Sequence, residues 1–136
     1  NHFSLLTSEK RMRRKALEAL NFVGLSDYEN RWSDELVWVE RQLLQLARSI
    51  VSEPDLLLLD EPAAGMGKKE RDKIINVIND IRDRGITTVV ISHDLEMIMD
   101  LCEKISVIDF GKLLFSGTPA EVKNNRKVME AYTGEK

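Results

Sequence analysis

Four consecutive leucines, Leu56 to Leu59, stand between Asp55 and Asp60, with Pro54 before them and Pro62 after. Leucine on its own favours a helix. A run this short, closed in by prolines, cannot supply the turns that a helix needs. It therefore reads as a β-strand buried on both faces, the kind found in parallel sheets covered by helices. A second run, Ile86-Thr87-Thr88-Val89-Val90-Ile91, is β-branched at every position and is the strongest strand signal in the chain. A third strand is expected at Ile105 to Ile108, and Leu113-Leu114-Phe115 follows the turn Asp109-Phe110-Gly111-Lys112.

Helical spacing fills the gaps between these runs. Ser8 is placed to cap a helix through Met12, Ala16, Leu20 and Val23, with Gly24 as its stop. A second helix shows Leu36, Val39, Leu43, Leu46, Ala47 and Ile50 along one face and ends at Glu53-Pro54. A third carries Ile74, Ile75, Val77, Ile78 and Ile81, closed by Gly85, and a fourth carries Leu95, Ile98, Met99, Leu101 and Cys102. Thr118 caps a last helix that has Pro119 at its first position. Strands alternating with helices give an α/β fold with a mainly parallel sheet.

Composition narrows the function. The 136 residues are 43% apolar and 32% charged, with a net charge of -3, as in ordinary globular domains. Cations are scattered among acids, so no basic stripe points to nucleic acid. The densest basic run, Lys10 to Lys15, reads as the solvated face of a helix. The single cysteine, Cys102, excludes an internal disulfide. No apolar stretch is long enough to span a bilayer and no signal peptide opens the sequence, so a membrane connection has to run through a partner. The first residue is Asn1 and not Met, which leads us to expect a piece of a longer protein.

Two clusters carry candidate chemistry. Asp60-Glu61 ends the leucine strand and so lies at the carboxyl edge of the sheet, where α/β folds bind ligands. Asp60 could hold a magnesium ion through water, and Glu61 could orient or deprotonate an attacking water. The pair could equally be a polar loop or a helix start. Ser92-His93-Asp94 follows the β-branched strand at the same edge. His93 could contact a terminal phosphate, or Ser92 or Asp94 could simply cap the next helix. Three sequential neighbours cannot form a nucleophilic triad.

Taken together, the Leu-Leu-Leu-Leu-Asp-Glu-Pro segment, about thirty residues and then Ile-Ser-His-Asp resemble the Walker B motif and switch histidine of ABC ATPases. Lys15-Ala16-Leu17-Glu18 through Leu25 is similar to that family's helical subdomain. Leu46-Ala47-Arg48-Ser49-Ile50 is similar to the helix leading into Walker B. Phe110-Gly111-Lys112 through Val122 is similar to its C-terminal hairpin and helix. Glu61-Pro62-Ala63-Ala64-Gly65-Met66 most resembles the ATPases of branched-chain amino acid importers. The resemblance implies a partial P-loop NTPase fold, with a helical subdomain and signature helix over about 1–52 and the catalytic core over about 53–136. It implies Asp60 as the magnesium-site acid, Glu61 as catalytic base and His93 as switch, while Arg48 looks structural. It implies ATP and Mg2+ as cofactors, permease subunits and a second ATPase subunit as partners, and a place on the inner face of the cell membrane.

Three departures accompany the resemblance. No Gly-x-x-x-x-Gly-Lys-Ser/Thr phosphate loop occurs in the chain, nor the glutamine that follows it in the family, so the chain alone is expected to hydrolyse nothing. The family signature, Leu-Ser-Gly-Gly-Gln, falls in register on Leu36-Val37-Trp38-Val39-Glu40, where only the leucine matches. The loop Gly65-Met66-Gly67 carries glycine where the family has an acid or asparagine. Residues serving the chain's own site are kept and those facing a partner's site are altered, which implies an asymmetric pair with a different ATPase. Two other readings are a non-catalytic interaction module built on the altered signature, and an ABC ATPase acting on DNA or the ribosome. In P-loop ATPases of this type, another strand lies between the strand ending before His93 and the one at Ile105. Its absence predicts that these two strands pair directly or that a second copy of the chain fills the gap.

Overall fold

The computed structural model describes residues 2–133, with side chains from Ser8 onward. The chain forms two compact units, one ending at Ser92 and the other starting at His93. The first holds α1 (His2–Phe22), α2 (Trp38–Ile50), β1 (Leu56–Asp60), α3 (Lys68–Asp83) and β2 (Thr87–Ile91), with two short 3-10 turns between α1 and α2.

Its core follows from the helical spacing. α2 buries Val39, Leu43, Leu46, Ala47 and Ile50 on one face, and α3 buries Ile74, Val77, Ile78 and Ile81. Ile74 and Ile81 are fully removed from solvent. Each such isoleucine contributes about 1.5–3 kcal/mol by leaving water. Both helices stop where expected: Glu53 and Gly85 take positive φ, 53° and 87°, and Pro54 prevents continuation of α2.

α1 differs from expectation. Ser8 lies inside the helix and does not cap it. Among the described side chains, from Ser8 onward, Met12 is exposed, and the first buried one is Ala19, followed by Val23 and Leu25. The apolar stripe on α1 is thus shorter than its spacing suggested.

β1 and β2 pair in parallel, with Leu56 opposite Thr87, Leu58 opposite Val89 and Asp60 opposite Ile91. Side chains alternate across a strand. Leu57 is buried on one face, while Leu56, Leu58, Val89 and Ile91 are exposed on the other, Leu58 by 69%. The expectation of a strand buried on both faces is therefore corrected. The propensity of four leucines cannot say whether a second layer is present to cover them.

The second unit holds α4 (Leu95–Leu101), β3 (Ile105–Asp109), β4 (Lys112–Gly117), α5 (Pro119–Asn124) and α6 (Arg126–Thr133). β3 and β4 form an antiparallel hairpin, with Asp109 opposite Lys112. Phe110 and Gly111 turn it with φ of 45° and 75°, both positive as a tight two-residue hairpin turn requires. Thr118 caps α5, and Glu121 reaches back to the Thr118 N–H at 2.7 Å, completing a capping box. Asn125 caps α6 by accepting from the Val128 N–H at 3.2 Å.

Among the described residues β2 pairs only with β1 and β3 only with β4. The expected direct pairing of the strand ending before His93 with the strand at Ile105 is not formed. The α/β class stands, with one parallel and one antiparallel pair.

Candidate functional site

The carboxyl end of β1 is fastened to β2 through three consecutive contacts. Asp60 stands opposite Ile91 in the ladder. The Glu61 N–H donates to the Ile91 carbonyl at 2.8 Å, and the Ser92 hydroxyl donates to Glu61 Oε2 at 2.9 Å. Glu61 also takes the left-handed conformation, with φ of 48°. A residue with a Cβ adopts this region at a cost of about 1–2 kcal/mol, so the surrounding bonds must hold it there. Pro62 is buried directly after it, and the Ala64 N–H returns to the Glu61 carbonyl at 3.2 Å. The result is an exposed carboxylate, Asp60, beside a half-buried one, Glu61, whose backbone and side chain are both gripped.

His93 begins the second unit and is exposed. Asp94 caps α4, its Oδ1 accepting from the Met97 N–H at 3.0 Å. The capping alternative is thus correct for Asp94. Ser92 faces the other way in function: it holds Glu61. Nothing in its sequence position signalled this bond, because Glu61 lies 31 residues away.

The register Leu36-Val37-Trp38-Val39-Glu40 falls on the N-terminus of α2. Leu36 and Val39 are buried, whereas Val37 and Trp38 are exposed. Val37 occupies the N-cap position without a side-chain cap. Glu40 makes the reciprocal half of a capping box, its Oε2 receiving the Val37 N–H at 3.0 Å, and its Oε1 receives the Tyr28 hydroxyl at 2.6 Å. The Tyr28 hydrogen bond first, then the Val37 N–H, hold the Glu40 carboxyl below its ordinary value. Glu40 in turn raises the Tyr28 phenol, mainly through the same hydrogen bond.

Arg41 fixes the approach to α2, donating from Nε to the Leu36 carbonyl at 2.8 Å and from Nη2 to the Asp34 carbonyl at 2.9 Å. Sequence reasoning missed both Tyr28 and Arg41. The three-residue step from Val37 to Glu40, half of a capping box, was the one available signal.

The loop 61–67 is tied to the same place. Trp38 Nε1 donates to the Ala64 carbonyl at 3.2 Å. Gly65 takes φ of 73°, and the Met66 N–H closes a turn onto the Ala63 carbonyl at 3.2 Å. Gly67 sits at the N-cap of α3 and donates its N–H to Glu70 Oε2 at 3.2 Å.

Residues 1–64 match the ABC transporter family, and residues 112–136 match the branched-chain amino acid ATP-binding cassette transporter family. The chain is 36% identical, over 98% of its length, to the high-affinity branched-chain amino acid transport ATP-binding protein LivG of Salmonella typhimurium. The chain belongs to the ABC transporter ATP-binding family. It is also 32% identical, over 96% of its length, to the lipopolysaccharide export system ATP-binding protein LptB of Haemophilus influenzae. Among solved structures, an ATP-binding cassette of an ABC transporter in its ADP conformation superposes with a TM-score of 0.85 at 28% identity over 92% of the chain. The chain covers 55%, 54% and 51% of these three proteins, so it spans about half their length.

Members of this family bind nucleotide. Among the described residues no group of three or more His, Cys, Asp or Glu side chains could cage a metal. The open Asp60 carboxylate nevertheless fits magnesium, which keeps much of its water and takes one or two protein carboxylates together with substrate phosphates.

Proposed function

We propose that the protein carrying this chain is the ATP-hydrolysing subunit of a transporter that imports branched-chain amino acids. The matched C-terminal segment and the relatives at 36% identity support this solute class. The observation that carries the chemistry is the grip on Glu61. A glutamate held left-handed between Ile91 and Ser92 at the carboxyl edge of a sheet is built to keep its carboxylate in one place.

In this reading Glu61 orients the attacking water and accepts its proton. Asp60 would hold magnesium. Bound there, magnesium would neutralise charge on the transferring phosphoryl group. His93 contacts the terminal phosphate and registers its loss. In the same reading, permease subunits connect the protein to the bilayer at its inner face.

The α2 N-terminus supports an asymmetric pairing. Helix N-termini attract anions, but here the Glu40 carboxylate already receives the Val37 N–H. Val37 brings no hydroxyl to that end, and Trp38 and Val39 bring bulk where the family has glycine. A partner nucleotide facing this surface is poorly stabilised, and the productive site is the chain's own, completed by a different ATPase subunit.

The test is ATPase activity of the full-length protein assembled with its partners. Glu61→Gln is expected to lower the rate at least a hundredfold, the usual worth of a positioned general base. Hydrolysis that survives this substitution overturns the reading.

A further inference from the structure

Ser92 directly precedes His93 and is the residue through which β2 reaches the side chain of Glu61. From this contact we propose that Ser92 is a positioning residue for the Glu61 carboxylate; the proposal rests on the reading of Glu61 as the base.

Two neighbouring bonds do different work. The Ile91 carbonyl takes the Glu61 N–H at 2.8 Å and fixes the backbone. That bond alone leaves the side-chain rotamers of a glutamate open. The Ser92 hydroxyl donates to Glu61 Oε2 at 2.9 Å and so restrains the carboxylate itself. The two grips come from consecutive residues at the end of one strand, so a single element sets both backbone and side chain. The left-handed φ of 48° at Glu61 makes the second grip necessary, because a strained residue relaxes once its restraints are removed.

Placement of the carboxylate acts on the chemical step and leaves nucleotide affinity alone, so the effect belongs in kcat and not in KM.

The experiment measures ATP hydrolysis by the full-length protein in its assembled transporter, with Ser92→Ala, Ser92→Thr and Glu61→Gln compared. Ser92→Ala is expected to lower kcat about tenfold at unchanged KM. Ser92→Thr, which keeps the hydroxyl, is expected to restore most of the rate. Thermal unfolding of each variant separates misfolding from misplacement. If Ser92→Ala keeps wild-type kcat while Glu61→Gln abolishes hydrolysis, the base reading stands and the positioning role is overturned. A Ser92→Ala loss that Ser92→Thr fails to restore overturns it as well. If Glu61→Gln hydrolyses ATP normally, the base reading falls, and the role of Ser92 falls with it.

Discussion

The indole of Trp38 reaches across 26 residues of sequence to the carbonyl of Ala64, joining the first turn of α2 to the loop that follows Glu61. The bond is exposed to solvent, which limits its worth. Trp38→Phe keeps the ring and deletes the donor. We expect it to lower stability by about 0.5–1 kcal/mol in urea denaturation. Amide exchange at Ala64 and Met66 should accelerate more than exchange in α3. Equal acceleration everywhere would show that the indole does not restrain the loop.

The Tyr28–Glu40 pair makes stability depend on pH at both ends. Glu40 is held below its ordinary 4.5, so its contribution is fully present above that value and is lost as pH falls through the depressed folded value. Tyr28 is raised above 10.0, so its contribution is present below that value and is lost as pH rises through the raised folded one. Urea midpoints at neutral pH and at about pH 3 test the acid side. Tyr28→Phe should lose less between the two than wild type does. An identical loss would mean that the phenol does not hold the carboxylate.

Ile78 is 1% exposed and lies on the inner face of α3. Ile78→Ala leaves a cavity between packed helices and should cost about 2–5 kcal/mol. Met12→Ala, at a position 61% exposed, should cost under about 0.5 kcal/mol. Comparable losses for the two would contradict the packing described for α1 and α3.

A Cβ added at Gly117 would come within 2.7 Å of Glu121 Oε2 and 2.9 Å of Phe115 Cε1. Phe115 presents a rigid ring, and Glu121 cannot move without leaving the Thr118 N–H that it caps. Gly117→Ala is therefore expected to lower the melting temperature by roughly 3–6 °C. An unchanged melting temperature would show that Glu121 finds another route to the cap.

Much of the fold could be read from residues alone because periodicity reports burial directly. The spacing of Ile74, Val77, Ile78 and Ile81 matches the buried face of α3, and Thr118-Pro119 marks the start of α5. The four leucines gave the strand correctly and its second face wrongly, since a run of like residues carries no alternation to tell inside from outside. Ser8 resembled a cap because short polar residues favour caps, and the helix nevertheless runs through it. Asp60 and Glu61 were legible at the sheet edge. Ser92 as a partner of Glu61, and Tyr28 as a partner of Glu40, were not, because tertiary hydrogen bonds between distant residues leave no local pattern.

The left-handed turn at Glu61 also bears on how such a chain would change over generations. Glycine and asparagine occupy that backbone conformation more comfortably than glutamate. A duplicated copy released from hydrolysis would gain folding stability by replacing Glu61 with either. Keeping glutamate there opposes what the backbone prefers, so, under the proposed role of Glu61 as base, the residue at 61 should separate copies still selected for turnover from those retained only for assembly.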